Sequence, residues 1–325
     1  MNIKKAFQDI LITVTPLIDI VILPLVYPAA WLMKGVRRMG VHRLPLCKRI
    51  FMHVGVFPIR NHYYEPLFDS KQLNKIAEQK RSLPGIDWNI EEQLHLLEQF
   101  DFNGELKDIP FSKQDRPVFH FNNIAFESGD AEFLYNMIRL KKPSRIYEIG
   151  SGYSTLMAVK AIEKNRSEDN VYKCEHLCIE PFENPWLEDI DVKILRRKVE
   201  DTDKMIFSDL HEGDILFIDS SHIIRPQGDV VFEILELLPT LNKGVIVHFH
   251  DIFSPNNYLK KWLVDEVRFW NEQYLVEAFL SCNREWKILA ALNYLHWNFF
   301  DQLQARCPYL TREREPGSLY IQKIA

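Results

Sequence analysis

The chain has 325 residues, 46% of them apolar and 12% aromatic, enough for a large core in one α/β domain with additions. A net charge of -5 argues against a general nucleic-acid binder, which is usually basic, so no nucleic-acid partner is expected. Five scattered cysteines without Cys-x-x-Cys spacing predict reduced thiols, and they exclude a disulfide framework and a structural zinc site.

The N-terminal stretch from Ile10 to Met33 is almost entirely apolar, apart from Asp19 and three prolines. Its length suffices to cross a bilayer, but a central carboxylate and prolines are costly there, which favours a re-entrant or interfacial segment over a plain span. A helix buried against the rest of the protein is the alternative. Residues 34–49 carry six cations and no acid, as expected beside anionic lipid or on a solvated face. We therefore expect residues 1–50 to associate with the inner face of a membrane, with the rest of the chain in the cytoplasm.

The next region, residues 51–125, contains no nucleotide motif. Pro84-Gly85 marks a turn, and Ile90, Leu94 and Leu97 follow at helical spacing. This predicts a small helical N-terminal cap. A helix over Phe126–Leu140 then leads into a third region, residues 126–325, which carries every remaining motif.

The stretch Arg145–Thr155, with the sequence RIYEIGSGYST, indicates a buried strand, a glycine turn and the start of a helix. Gly150 and Gly152 permit a tight turn, and Leu156, Val159 and Ile162 continue at helical spacing. Such a turn directs backbone N–H groups and a helix N-terminus towards one point outside the strand, where open α/β sheets bind nucleotide-like ligands.

Further strands end in polar side chains. The second ends at Glu180, the third near Asp201, the fourth at Asp219 and the fifth at Asp251. Because parallel strands end at one edge of a sheet, Asp219, His222, His250 and Asp251 are predicted to converge there.

The Glu148-x-Gly-x-Gly form resembles motif I of class I S-adenosylmethionine-dependent methyltransferases. The resemblance implies a doubly wound, seven-stranded Rossmann-like α/β sheet closed by a reversed final hairpin, with strands over Trp286–Leu292 and Ser318–Ile324. It also implies S-adenosylmethionine as the cofactor. The cofactor-binding residues that it implies are Glu148, Gly150, Ser151, Gly152, Ser154, Thr155, Glu180, Asp201 and Asp219. A dinucleotide site is the competing interpretation, but Thr155 stands where its third glycine would be.

Methyl transfer to oxygen needs a hydroxyl held in line with the methyl group and an acceptor for its proton. His222 is the first candidate for this base and His250 the second, with Asp219 beside them. In metal-dependent O-methyltransferases, an aspartate on the fourth strand and an Asp-Asn pair after the fifth hold Mg²⁺. Asp219 and Asp251 match this pattern and leave Mg²⁺ as a possibility, but Ile252 replaces the asparagine.

Other functions stay open at this stage. A two-histidine, one-carboxylate iron site from His222, His248 or His250, and Asp251 would make the protein an oxygenase. A non-catalytic membrane scaffold or an NAD-dependent oxidoreductase would keep the same fold.

The C-terminal region adds an amphipathic helix predicted over Tyr258–Gln273. The segments Asp251–Pro255 and Trp270–Tyr274 resemble bacterial methyltransferases associated with surface-polysaccharide loci. We therefore expect O-methylation of a small-molecule, glycan or lipid-linked hydroxyl acceptor near the membrane.

Overall fold

A computed structural model gives the fold and describes residues 3–69, 73, 80–182 and 184–325, with side chains from residue 14 onwards. The chain forms two compact units, Met1–Leu73 and Asn74–Ala325. The predicted bounds of the membrane segment, the cap and the methyltransferase region stay predictions.

The first unit is built from helix α1 (Ile3–Met39) and helix α2 (Pro45–Val54), with a 3₁₀ turn at Val41–Arg43 between them. Helix α1 runs without interruption through Pro16, Pro24 and Pro28. Its side chains from Val14 to Leu32 are exposed. By length and composition, Val14–Met39 is apolar enough to cross a membrane, with a mean hydropathy of 1.8.

The C-terminal end of α1 is fixed by an ion pair. Arg37 donates two hydrogen bonds of 2.8 Å, one to each carboxylate oxygen of Glu65, and Arg60 contacts the same carboxylate at 3.2 Å. Glu65 is 5% exposed, so this pair is better shielded than a surface salt bridge.

The second unit begins with short helices that pack on the core, α3 (Ile90–Glu98) and α4 (Asn103–Leu106). Helix α5 (Asp130–Lys141) starts four residues later than the predicted Phe126. Glu132, in the first turn of the helix, accepts the Gly129 N–H at 2.7 Å and so sets the helix start.

Seven strands form one sheet in the order β3-β2-β1-β4-β5-β7-β6. Strands β1 to β5 are parallel, and β7 is antiparallel to both of its neighbours. The strands are β1 (Arg145–Ile149), β2 (Glu175–Ile179), β3 (Lys193–Leu195), β4 (Ile215–Ile218), β5 (Ile246–Phe249), β6 (Trp286–Ala291) and β7 (Leu319–Lys323). The predicted doubly wound sheet with a reversed final hairpin is confirmed.

Helices cover both faces of this sheet. They are α6 (Tyr153–Glu168), α7 (Asp229–Val231, continued as a π-helix over Phe232–Leu237), α8 (Glu272–Leu280), α9 (Leu292–Asn298) and α10 (Phe300–Gln304). Short 3₁₀ turns lie at Pro185–Asp189, Val199–Asp201, Lys204–Asp209 and Leu238–Thr240. Alternation along β4 sends Phe217 into one apolar core and Leu216 into the other, as expected for a parallel sheet covered on both sides.

The helix predicted over Tyr258–Gln273 is wrong. The structure has one π-helical turn over Lys261–Asp265, and α8 begins only at Glu272. An aromatic cluster takes the place of the helix: Trp262 and Trp270 pack at 4.9 Å, and the Arg268 guanidinium lies over both rings. Trp262 and Trp270 are therefore half-buried by contacts with each other and with Arg268, without forming the predicted helix.

Candidate active site

The glycine turn after β1 packs directly against the end of β4. Gly150 has φ +79°, and a Cβ built on it would lie 2.0 Å from the backbone oxygen of Asp219. No side chain fits there, because both the conformation and the space exclude one. Gly152 is extended, and a Cβ on it would meet no atom closer than 3.9 Å. The tight turn therefore depends on Gly150.

Two predicted cofactor residues lie beneath this turn. Glu148 is 1% exposed and Thr155 is fully buried, and the Thr155 hydroxyl donates to the Glu148 carboxylate. Thr155 Oγ1 also accepts the Gly152 N–H at 3.0 Å. Neither residue lines the cavity above the turn, so in this structure they hold the turn in place.

A cavity of about 500 Å³ opens above the turn, within the range of small-molecule sites. Of the predicted cofactor residues, Ser151, Gly152, Ser154 and Asp219 line it. Sequence reasoning missed the rest of its lining, which is Lys113–Val118, His120, Ala125, Phe126, Tyr153, Leu156, Asn184 and Trp186. The buried hydroxyl of Ser151 has no hydrogen-bond partner among the described residues, so a polar ligand could use it. The volume of the cavity and its polar lining residues Ser151 and Ser154 fit a nucleoside-containing cofactor.

Glu180 lies beside the cavity and is 8% exposed. Its carboxylate accepts the Ser151 N–H at 3.2 Å and the Phe182 N–H at 3.0 Å. Asp201 is exposed on a 3₁₀ turn and is not part of the described cavity lining.

The four polar residues predicted at the strand ends come together. His222 Nε2 lies 3.2 Å from an Asp219 oxygen and 3.7 Å from an Asp251 oxygen. His250 Nδ1 lies 3.4 Å from the other Asp219 oxygen and 3.7 Å from Asp251. Asp219 joins this cluster to the cavity because it belongs to both. We call these four residues the acidic edge.

Backbone conformation is unusual at two of these positions. His222 has φ +58° and Asp251 has φ +60°, although neither is glycine. Such left-handed residues cost about 1 to 2 kcal/mol each and cluster at functional sites.

Sequence reasoning missed a fifth residue, Glu272. Its Oε2 lies 2.8 Å from His222 Nδ1, and it is 1% exposed at the start of α8. The Trp270 ring packs on the His222 ring at 4.2 Å. The segment Trp270–Tyr274 was notable in the sequence, but nothing in it indicated which residue it would meet.

His248 has a structural role instead. It is fully buried, its Nε2 lies 2.8 Å from the Ser318 hydroxyl, and its ring stacks on Tyr320 at 4.0 Å. Burial lowers its pKa well below the ordinary value, so it is neutral.

The charges of the acidic edge balance one another. Burial opposes charge on His222, but the surrounding carboxylates, first Asp219 and then Glu272, raise the pKa of its imidazole well above 6.5. Asp251 and Asp219 likewise overcome burial and raise the pKa of His250 to about 10. The two imidazoles in turn hold the pKa of Asp219 below its usual range, against the effect of burial. The raised pKa values favour the imidazolium form of both side chains.

Among the residues that the structure describes, two groups of side chains bring metal-ligating atoms within 4.8 Å of one another. Asp219, His222 and Asp251 form one at the acidic edge. Glu148, His176 and Cys178 form the other beneath the glycine turn, where burial raises the pKa of the Cys178 thiol and disfavours the thiolate that a metal would need. The first group fits a divalent cation, with two carboxylates as the sequence predicted and an imidazole in addition.

The comparisons with known proteins agree with this architecture. Residues 147–252, from β1 to the acidic edge, match a family described as "Methyltransferase domain". An uncharacterized protein of Archaeoglobus fulgidus is 30% identical over 173 residues, which cover 49% of this chain and 76% of that protein.

Two solved structures are also similar in part. One is the plantazolicin methyltransferase BpumL in complex with SAH, 14% identical, covering 61% of this chain and 83% of its own, with a TM-score of 0.36. The other is an O-methyltransferase from Bacillus cereus in complex with SAH, 11% identical, covering 78% and 96%, also with a TM-score of 0.36.

The sheet order, the acidic glycine turn and the matched domain define a class I methyltransferase. The chain belongs to the family of the archaeal relative and is an S-adenosylmethionine-dependent methyltransferase of that class.

Proposed function

We propose that this enzyme transfers the methyl group of S-adenosylmethionine to a hydroxyl group of a sugar, glycan or lipid-linked acceptor at a membrane surface. One observation carries the proposal: Asp219 lines the cavity above the glycine turn and also contacts both imidazoles of the acidic edge. The methyl donor and the groups that handle a proton would therefore meet at a single side chain.

The cofactor-binding roles follow from position. Ser151, Gly152 and Ser154 would contact the cofactor directly, and Glu148 and Thr155 would hold the turn. Glu180 would accept hydrogen bonds from the ribose hydroxyls, and Asp201 would lie towards the adenine. Bound S-adenosylmethionine supplies a methyl group on a sulfonium, which is already a strong electrophile.

The chain's own contribution would be to position the acceptor and to take up its proton. A bond forms between the acceptor oxygen and the methyl carbon, the carbon–sulfur bond breaks, and the hydroxyl proton passes to an imidazole of His222 or His250. Such a base contributes about 10²- to 10⁴-fold in rate. The imidazole must be neutral to act, so it must first lose the proton that the carboxylates favour.

Two observations support an acceptor at the membrane. The exposed apolar surface of α1 is followed by a basic stretch without acids, which suits anionic lipid headgroups. Asp251–Pro255 and Trp270–Tyr274, which resemble segments of methyltransferases from surface-polysaccharide loci, supply Asp251 and Glu272 to the site. In this arrangement residues 1–50 would bind the inner face of the membrane, 51–125 would form the cap and 126–325 the catalytic domain.

Calorimetry tests the cofactor site. Full-length protein is titrated with S-adenosylmethionine and, separately, with NAD, and wild type is compared with Glu180→Ala. Selective binding of S-adenosylmethionine that weakens at least tenfold in the variant supports the proposal. If a folded Glu180→Ala variant binds S-adenosylmethionine with unchanged affinity, Glu180 does not contact the cofactor. Binding of NAD but not of S-adenosylmethionine would contradict the proposed function.

A transfer assay tests the acceptor class. Radiolabelled methyl groups from S-adenosylmethionine are followed into extracted lipid-linked glycans and into water-soluble sugars. Base-stable, ether-like label in either fraction supports O-methylation of a sugar. Label that appears only on nitrogen-containing acceptors would contradict it.

A further inference from the structure

We propose that His222, held by Glu272, is the third ligand of a divalent transition-metal ion at the acidic edge, together with Asp219 and Asp251. The sequence pattern alone suggested Mg²⁺ between two aspartates. The inference deepens the proposed function, because the ion would lie where the acceptor hydroxyl is handled, but it is tested separately from that function.

The three donors have the spacing of a ligand set. One atom from each side chain lies within 4.8 Å of the other two, and Nε2 of His222 is 3.2 and 3.7 Å from the two carboxylates. His222 is almost fully buried, and Asp219, with 35% of its side chain exposed, opens the group towards the cavity. A metal held here would have protein on one side and an accessible coordination position on the other.

The orientation of the His222 ring is fixed by Glu272. Its Nδ1 lies 2.8 Å from the buried Glu272 carboxylate, which makes the opposite nitrogen, Nε2, face the two aspartates. Histidine ligands in metal sites almost always donate their other N–H to a carboxylate, carbonyl or water. Glu272 is therefore a positioning residue for a ligand.

His250 faces the same space. Its Nδ1 is buried and lies 3.4 and 3.7 Å from the carboxylates of Asp219 and Asp251, within ion-pair distance but outside hydrogen-bond geometry. A water bound to the metal would complete the hydrogen bonding of this nitrogen.

The donor types select the class of metal. Carboxylate and carbonyl oxygens suit Mg²⁺ and Mn²⁺, whereas an imidazole suits Fe²⁺ and Zn²⁺, and Co²⁺ binds a given site more tightly than Mn²⁺ or Fe²⁺. Ile252 occupies the sequence position of the asparagine in the Mg²⁺ pattern, and its side chain is buried in the apolar core. The oxygen ligand is thus replaced by nitrogen from a different loop. The ion would act as a Lewis acid towards an acceptor hydroxyl.

The test measures metal binding without turnover. Metal-free full-length protein is titrated with Mn²⁺, Co²⁺, Zn²⁺ and Mg²⁺ by calorimetry, and Co²⁺ binding is also followed by its visible absorption. We expect Co²⁺ and Zn²⁺ to bind at least tenfold more tightly than Mg²⁺.

Three variants assign the ligand roles. His222→Asn should reduce this preference at least several-fold and change the Co²⁺ absorption spectrum, because its amide oxygen replaces the imidazole nitrogen. Glu272→Gln should weaken Co²⁺ binding by about 10- to 100-fold, the usual effect of losing such a support. Glu233→Gln is the matched control: Glu233 is equally buried but is hydrogen-bonded to Ser220, so affinity should stay unchanged.

Some results would overturn the proposal. These are equal affinity for Mg²⁺ and Co²⁺ in wild type, an unchanged Co²⁺ spectrum in His222→Asn, or no binding of any of the four ions at millimolar concentration. If Glu272→Gln fails to fold, wild type and His222→Asn still decide the question. Tight binding of S-adenosylmethionine together with full methyl transfer in EDTA would sink the metal site while leaving the proposed function intact.

Discussion

His222 and Glu272 are 50 residues apart in sequence, but His222 Nδ1 and Glu272 Oε2 are separated by only 2.8 Å. The backbone joins the same two segments, because the N–H groups of Asn271 and Glu272 donate to the His222 carbonyl at 2.9 and 3.2 Å. The start of α8 is therefore held against the loop after β4 by both side-chain and backbone contacts.

Replacing Gly150 by alanine should destabilise the protein by about 3 kcal/mol, because a left-handed alanine is strained and its Cβ would collide with the Asp219 backbone. Chemical denaturation measures the loss. Gly152→Ala is the control, since its backbone is extended and its nearest neighbour is 3.9 Å away, and its unfolding free energy should change by less than about 1 kcal/mol. Equal losses in the two variants would show that the turn is not held against β4.

Thr155→Val should cost about 3 kcal/mol, because it leaves the Gly152 N–H and the buried Glu148 carboxylate each without the Thr155 hydroxyl. Thr155→Ser keeps that hydroxyl and should stay within about 1 kcal/mol of wild type. The measurement is again the free energy of unfolding. A valine variant as stable as the serine variant would rule out a supporting role for this hydrogen-bond pair.

Glu132 should make stability fall as pH rises. Burial raises the pKa of its carboxyl from 4.5 to about 7, despite the N–H groups of Tyr309 and Gly129 that it accepts. Between pH 4.5 and about pH 7 the folded state therefore binds more protons than the unfolded state. The free energy of unfolding should fall by about 3 kcal/mol as the pH rises through this range. Denaturation at pH 4.5 and pH 8 should show this loss in wild type relative to Glu132→Gln, which cannot titrate. A constant difference between the two proteins would contradict the shifted pKa.

The exposed apolar surface of α1 should determine membrane retention. Introducing aspartates at Val21 and Leu25, which are 66% and 73% exposed, should cost roughly 2.5 kcal/mol or more per charge if these positions enter lipid. In flotation of full-length protein with anionic vesicles, we expect the double variant to stay at the bottom of the gradient. Asp19→Asn removes a charge from the same helix and should float at least as well as wild type. Flotation of all three proteins alike would exclude α1 as the membrane contact.

The parts of the fold with short-range signals could be predicted from sequence. The β1 turn follows from Gly150 placed directly after a buried apolar strand, and the acidic edge follows from polar residues at successive strand ends. Each strand end can be recognised from a few consecutive residues, and the parallel topology brings the strand ends together at one edge of the sheet.

The rest depends on contacts between distant segments. Tyr258, Trp262 and Trp270 have the apolar spacing of a helix, yet their rings pack together around Arg268 and the helix does not form. Glu272 resembles an ordinary first-turn acid of α8, and only the tertiary structure brings His222 to it. The loop from Lys113 to His120 carries no motif, and its place on the cavity wall follows from packing alone.

The contact between Gly150 and the Asp219 backbone also limits how this protein can evolve. The two glycines of this motif differ in the space around them. Position 152 has room for a side chain, whereas position 150 has none unless the end of β4 moves with it. Homologues that keep this sheet should therefore drift at 152 and stay fixed at 150. An exchange at 150 would be accepted only in a lineage that had already rebuilt the loop carrying Asp219.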